Sequence, residues 1–255
     1  MQSLISKATV QATNNFRLAL YDVKLGYRRS VIGPFWIAIN MSFFVCCIAF
    51  VYSFVFGAEI REFLPWVACG FLGWNFISYS LSEGCNVYIA NRENILNLNC
   101  NHQQYALRLC FRILVIMLHQ TVFLVPFFWF FPEYITLNVL VLPFSFAIYT
   151  YNSFLVILIL GILTVKFRDL QNIVANISLL LFLITPIFWP VGITGRTFFV
   201  EMNPVFHFIQ IVRAPILGEL PDSNNILAVF ISSIILTALA FIIDRKSGKN
   251  LFSMI

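Results

Sequence analysis

Six stretches of about twenty or more mostly apolar residues run through this chain, at 31–56, 64–90, 107–131, 138–164, 170–190 and 226–243. A helix of about 20 apolar residues matches the hydrocarbon thickness of a bilayer, where each backbone N–H and C=O must be satisfied within the segment itself. No sustained polar–apolar alternation occurs, so the strand period of a membrane β-barrel is missing. The pattern predicts an all-α integral membrane protein with six transmembrane helices. Composition leads to the same place. Of 255 residues, 60% are hydrophobic and only 11% charged, against roughly a quarter charged in a soluble domain. So much apolar surface cannot be hidden inside one globule of this length, and a single transmembrane domain over 1–255 is the economical reading. The first thirty residues lack the short apolar run and small-residue cleavage site of a secretory signal.

Positive charge sets the expected orientation. With the N-terminus inside, thirteen of the sixteen Lys and Arg fall on inner segments, and only Arg61, Arg196 and Arg213 fall outside. That asymmetry predicts cytoplasmic termini and an even number of crossings. The formal charge of +5 therefore belongs to membrane loops and not to a nucleic-acid-binding face, so no nucleic acid is expected as a partner.

Residues 1–30 read as an amphipathic helix. Leu4, Ile5, Ala8, Ala12, Phe16, Ala19, Leu20 and Val23 recur on one side at 3.6 residues per turn, with Lys7, Arg17, Lys24 and Arg28 opposite. Such a helix lies in the inner membrane interface or packs on a partner. The segment 91–106 is polar and inner, and Ile95, Leu98 and Cys100 are spaced for a short helix. The tight inner loop VKFRDL, 165–170, places Asp169 to cap the fifth helix. The outer loop, 191–225, carries the thirteen-residue apolar run VFHFIQIVRAPIL, too short to span. It predicts short re-entrant or membrane-surface helices, punctuated by Pro186, Pro190, Pro204 and Pro215.

Motifs for chemistry are missing. There is no GxxxxGK[ST] phosphate loop, no HExxH and no GxSxG, and the three histidines lie far apart in sequence. The six cysteines form no CxxC pair and read as free thiols. Polar groups gather instead on the second span. Asn75, Ser78, Ser82 and Asn86 recur at spacings of 3, 4 and 4, so they share a helix face that Tyr79 and Glu83 flank. A carboxylate inside a span costs roughly a few kcal/mol unless it pairs or meets water. The face therefore lines a cavity or a helix–helix contact, and Glu83 is expected to pair with an inner arginine such as Arg92. Aromatic residues make up 17% of the chain. Trp66, Trp74, Trp129 and Trp189 sit near outer span ends as a belt requires, and some rings are candidates to line a passage.

The junction LGYRRSVIGPFWIAIN, where the basic helix meets the first span, resembles the corresponding stretch in permease subunits of bacterial polysaccharide-exporting ABC transporters. These are the type-2 exporter family that moves O-antigen, capsule and teichoic acid chains. Further matching positions are Phe167-Arg168-Asp169-Leu170, Thr185-Pro186-Ile187-Phe188-Trp189-Pro190, Asn203-Pro204 and the stretch from Arg213 to Gly218. One departure is that Asn94 to Tyr105 carries neither the lysine nor the proline common in the family.

The resemblance implies an O-antigen-type exporter in the bacterial inner membrane, built from two copies of this chain above two nucleotide-binding ATPase subunits. ATP and Mg would be held by those partners, with no cofactor on this chain. The cargo would be a lipid-pyrophosphate-linked polysaccharide, in contact with membrane lipids. Arg28 and Arg29 would meet the pyrophosphate at the inner mouth. Trp74, Asn75, Ser78, Tyr79, Ser82, Glu83 and Asn86 would line the path. Arg168 and Asp169 would serve an inner gate, and Pro186, Trp189, Pro190, Asn203 and Pro204 an outer one. Arg92, Asn94, Ile95 and Leu98 would touch the ATPase. The alternatives are a drug- or lipid-exporting permease of the same family and a membrane-embedded acyl- or glycosyltransferase. The last would need a His/Asp or paired-carboxylate site.

Overall fold

The structure is a computed structural model that describes residues 2–57, 59–98, 101–189 and 198–248, with side chains from Val10 onward except at 56, 98, 198 and 199. Among the described residues the secondary structure is helical, without a strand. The helices are α1 (Gln2–Gly26), α2 (Trp36–Phe56), α3 (Ile60–Ala90), α4 (Arg92–Leu98), α5 (His102–Gln120), α6 (Leu124–Phe130), α7 (Leu142–Lys166), α8 (Leu170–Ile184), α9 (Phe198–Glu201), α10 (Pro204–Ile216) and α11 (Ser223–Ser247). The expected all-α membrane protein is what forms.

Among the described residues, four helical stretches are long and apolar enough to cross a membrane: Gly33–Val55, His102–Phe130, Leu137–Lys166 and Ser223–Ser247. Each overlaps a span expected from the sequence. The other two expected spans depart from that standard in opposite ways. Helix α3 has 31 residues, about 46 Å at 1.5 Å per residue, but it carries Arg61, Glu62, Glu83 and the Asn/Ser face. Helix α8 is apolar but has only 15 residues, about 22 Å. It stops at Ile184, short of the expected 190, because Pro186 forces Thr185 out of the helical region, to φ −79° and ψ 132°.

Helix breaks elsewhere have equally local causes. The chain leaves α1 through a turn at 27–29, where Ser30 Oγ accepts from Gly33 N at 3.1 Å. Gly33 sits at φ 65°, a left-handed conformation that costs a side-chain-bearing residue about 1–2 kcal/mol. Pro34 then opens a 3-10 turn leading into α2. Between α5 and α6 a 3-10 turn at Thr121–Phe123 precedes Pro126, which has no N–H to give the carbonyl four residues back.

Helix α3 is the hub. It packs against α7 most extensively, and also against α5, α2, α10 and α8, while α1 lies along α5 and α11 rests on α7 and α10. The α3–α7 contact depends on small residues, as close helix packing in membranes does. A Cβ at Gly84 would lie 3.2 Å from Ile157 Cα, and one at Gly161 would lie 2.7 Å from both Tyr88 Cε2 and Val87 Cγ1. Ser80 and Ser153 share a buried hydrogen bond across the same contact, at 2.7 Å.

The amphipathic reading of α1 holds in part. Ala19 and Val23 are buried and Phe16 meets Phe111 of α5 edge-on at 5.6 Å, but Leu20 is exposed. The buried stripe is completed by Asn15, a residue the apolar pattern passes over. Leu4, Ile5, Lys7 and Ala8 have side chains outside the described set. The free state of Cys46, Cys47, Cys69, Cys85 and Cys110 matches expectation; Cys100 lies outside the described residues.

Candidate functional site

At the basic end of the bundle, where α1 lies and α11 finishes, two ion pairs converge on α5. Arg108 donates from Nε to Asp22 Oδ2 at 2.8 Å and from Nη2 to Asp22 Oδ1 at 2.5 Å, the two-pronged geometry that suits guanidinium and carboxylate. One turn further along the same face, Arg112 pairs with Glu83 of α3. The pairing with an inner-side arginine is as expected, but the arginine is not the example Arg92, which is exposed and lies beyond the end of α3. Arg112 wins because α5 runs alongside α3 and delivers a guanidinium to the middle of the polar face.

Around these pairs opens a cleft of about 500 Å³. Asp22 and Leu25 of α1 form one wall, Glu83 and Asn86 of α3 another, and Arg108 and Arg112 the third. Two cations and two carboxylates balance there, so the cleft is polar without strong net charge. A third tie lies nearby: His102 Nε2 donates to Asp244 Oδ1 at 2.6 Å, and Gln103 Nε2 donates to Asp244 Oδ2 at 2.8 Å. The end of α11 is thereby bound to the start of α5, with the Tyr88 ring edge-on to His102 at 5.8 Å.

A double-mutant cycle tests the central pair. Glu83→Gln and Arg112→Gln, singly and together, are expected to show a coupling energy of about 0.5–3 kcal/mol, because both side chains are only about one-third exposed. Thermal unfolding of the purified variants supplies the measurement, and additive losses would mean that the pair contributes nothing.

The opposite end is organised by a buried cation. Arg213 of α10 is 1% exposed and no carboxylate meets it among the described residues. Its guanidinium carbon lies 3.8 Å from the centroid of the Trp66 ring, a desolvated cation–π contact. Nη2 donates to Pro186 O at 2.9 Å and to Ile187 O at 3.4 Å. Those carbonyls are available because Pro186 ended α8. Gly70 of α3 makes room, since a Cβ there would collide with Arg213 Nη2. A second tie joins the same elements: Asn203 caps α10 by accepting from Val205 N at 3.0 Å, and its Nδ2 donates to Thr185 Oγ1 at 2.8 Å. His207 Nε2 donates to Glu201 O at 2.8 Å, and its Nδ1 lies 2.7 Å from the Asn225 side chain of α11.

The expected site residues sort accordingly. Pro186, Asn203 and Pro204 are brought together around the Thr185 and Arg213 ties, and Trp189 Nε1 donates back to Leu183 O at 3.3 Å; Pro190 lies outside the described residues. Glu83 and Asn86 line the basic-end cleft. Asn75, Ser78 and Tyr79 are half-buried and Ser82 is exposed, with Ser82 Oγ turned back to Ser78 O at 2.9 Å. Trp74 leaves this group: it is 6% exposed, 5.3 Å from the Phe182 ring of α8, and packed with Ile187, Val205 and Ile209.

Arg28 and Arg29 are exposed in the turn after α1 and do not line the cleft. Arg168 and Asp169 are exposed. Asp169 occupies the N-cap position of α8, but its side chain makes no capping hydrogen bond, which corrects the expected cap; its φ of −67° and ψ of −16° are already helical and not the extended geometry a cap uses. In α4, Arg92 and Asn94 are exposed. Ile95 is fully buried, so it anchors the segment and offers no surface to a partner; the Leu98 side chain lies outside the described set. Sequence reading passed over Asp22, counted Arg108 and Arg112 only as inner-side cations, and took Trp66 only as a belt residue. The i, i+4 arginines at 108 and 112, inside an otherwise apolar helix, were the available signal.

A bundle with several helices long and apolar enough to cross a membrane, with paired charges at one end and a proline-broken element at the other, defines a multi-pass membrane protein. No protein-family model matches the chain. It is similar to the O-antigen export system permease protein RfbA of Myxococcus xanthus, with 23% identity over 225 residues, 84% of this chain and 85% of the relative. The resemblance to type-2 exporter permeases thus extends over most of the chain.

Proposed function

We propose that this chain is the transmembrane subunit of an ATP-driven exporter that carries a lipid-pyrophosphate-linked polysaccharide, of the O-antigen class, from the cytoplasm across the bacterial inner membrane. The observation that carries the proposal is the match to an O-antigen export permease over more than four-fifths of both chains. The exporter is a homodimer of this chain with two ATPase subunits, and both termini are cytoplasmic. The basic end then faces the cytoplasm, and Arg92 and Asn94 on α4 belong to the surface presented to the ATPase. The polymer follows the half-open α3 face bearing Asn75, Ser78, Tyr79, Ser82 and Asn86. The assembly of α8, α9 and α10 forms the outer gate, and Arg168 and Asp169 border the inner one.

Deleting the gene is expected to leave lipid-linked polymer on the cytoplasmic side, and the purified complex is expected to contain an ATPase in a 2:2 ratio. Purification of the chain without any ATPase, together with normal surface polymer in the deletion strain, refutes the proposal. Retention of a hydrophobic drug in place of polymer would select the drug-exporting alternative.

Arg28 and Arg29 stand as the head-group contact on this reading. They are exposed and, among the described residues, unpaired, so they are free to meet a phosphate. Replacing both with Gln is expected to lower surface polymer at unchanged protein level; unchanged export assigns the two arginines to anionic lipid instead.

A further inference from the structure

Beneath α10 lies a cavity of about 360 Å³ that the transport reading does not use. Phe76 and Ser80 of α3 and Ser153 and Val156 of α7 form its floor, and Val205 and Phe208 of α10 roof it. Leu181 of α8 stands at one side, and Ile235 and Leu236 of α11 at the other. Helix α8 packs on α3 and α7 but makes no extended contact with α11, so the cavity is bounded laterally by two helices that stand apart. Ser153 falls near the middle of α7, and Ser232 to Leu236 fall near the middle of α11. The opening therefore lies at the depth of the hydrocarbon layer.

We propose that this cavity is a binding site for the alkyl chain of a bilayer lipid, admitted sideways between α8 and α11. Three observations support that occupant over the alternatives. Most polar groups of the wall are already hydrogen-bonded, and the two that lack a partner among the described residues, Tyr149 Oη and Asn152 Oδ1, are themselves buried away from the cavity surface. Ser80 bonds Ser153 at 2.7 Å, Asn152 Nδ2 donates to Ile148 O at 2.9 Å and Ser233 Oγ at 3.0 Å, and Ser232 Oγ donates to Ala228 O at 2.8 Å. The surface left facing the cavity is carbon, and a cavity of that kind stays dry.

The second observation is size. At about 360 Å³ the cavity falls within the roughly 300–1,000 Å³ of small-molecule sites, room for a stretch of alkyl chain. The third is the lips of the opening, where exposed Leu180 and Ile184 of α8 face outward, as Ile231 and Ile235 of α11 do. These are apolar side chains at membrane depth, where alkyl chains are the surrounding solvent. A narrow void left empty there forfeits dispersion contacts on every wall, and a flexible chain restores them. This inference does not depend on what the protein exports.

The test uses the full-length protein. It is purified from native membranes, washed extensively in detergent, and examined by mass spectrometry for lipid retained in proportion to protein. The wild type is expected to keep a lipid that Val156→Trp, which fills the cavity, loses. Phe230→Trp on the exposed face of α11 is expected to keep it. A phospholipid with a photoactivatable group within its acyl chain, added before washing, is expected to label Val156 and the Ser232–Leu236 segment in the washed protein.

The mass of the retained lipid separates the two sources of such a chain, a phospholipid or a polyprenyl phosphate. If Val156→Trp does not give a monodisperse protein, Leu236→Phe is the milder filling variant. Equal retention by well-folded Val156→Trp or Leu236→Phe overturns the proposal. So does reaction of Val156→Cys with a charged, water-borne thiol reagent, which would show a solvated cavity. A cysteine cross-link from Leu181→Cys to the same position of a second copy would show that protein covers the opening, and overturns it equally.

Discussion

Replacing Arg213 with alanine is expected to loosen α10 from α3 and α8 and, on the proposed function, to lower export. The guanidinium satisfies the Pro186 and Ile187 carbonyls and lies on the Trp66 ring at 3.8 Å. Each buried carbonyl left without a donor costs about 1–3 kcal/mol, and a desolvated cation–π contact contributes about 2 kcal/mol. Removing a buried charge that has no carboxylate partner gives some of this back. The expected net loss is about 2–4 kcal/mol, measured as a fall in thermal unfolding temperature in detergent.

Arg213→Lys discriminates between charge and shape. Lysine keeps the charge and a donor for the carbonyls that Nη2 serves, but it has no planar guanidinium to lie flat on the indole, so it is expected to fall between alanine and wild type. A lysine variant with the unfolding temperature of the wild type would show that charge alone suffices. Gly70→Ala approaches the same contact from α3, because its Cβ collides with Arg213 Nη2. It is expected to reproduce the phenotype with Arg213 itself intact.

Replacing Gly161 with leucine is expected to be the most damaging single change at the centre of the bundle. The Cβ alone would stand 2.7 Å from Tyr88 Cε2 and Val87 Cγ1, and three further carbons have nowhere to go. Both neighbours are buried, Tyr88 completely, and they belong to the helix that contacts nearly every other. Overpacking costs typically about 1–3 kcal/mol and more where the backbone must shift; here α3 and α7 must separate, so about 3 kcal/mol or more is expected. Gly161→Ala carries the same clash in smaller form, offset by about 1 kcal/mol of helix propensity. Gly26→Leu is the control, since nothing lies within 4 Å of a Cβ there. The yield of monodisperse protein and its thermal unfolding are the measurements. A Gly161→Leu protein as stable as the control would mean that the two helices are not in close contact.

Both predictions rest on contacts that cross the bundle, and these are the part a linear reading missed. Glu83 was legible as a carboxylate in need of a partner, because an apolar span makes the need visible. Its partner was not, since Arg92 is nine residues away in sequence while Arg112 is brought by a different helix. Arg213 was counted by charge asymmetry as one more outer-side cation. Nothing in VFHFIQIVRAPIL announces that its arginine turns inward onto Trp66, since that requires the proline break after α8 to place two free carbonyls opposite it. Ile95 was legible as the apolar anchor of a short helix, but only packing shows it fully buried, and so unavailable as a contact surface.

The sequence by itself determined that this chain is an all-α membrane protein. Apolar run length against bilayer thickness and the backbone's hydrogen-bond requirement leave few other solutions. It also determined the helix break at Pro186, because proline acts on the backbone locally. Tertiary structure alone decided which polar groups meet: Asp22 with Arg108, Glu83 with Arg112, His102 with Asp244, and Arg213 with Trp66. Those pairings join residues from 29 to 147 positions apart. In an apolar layer a charged group is costly until it finds a partner, yet which partner it finds depends on the packing of helices whose lipid-facing surfaces look alike in sequence.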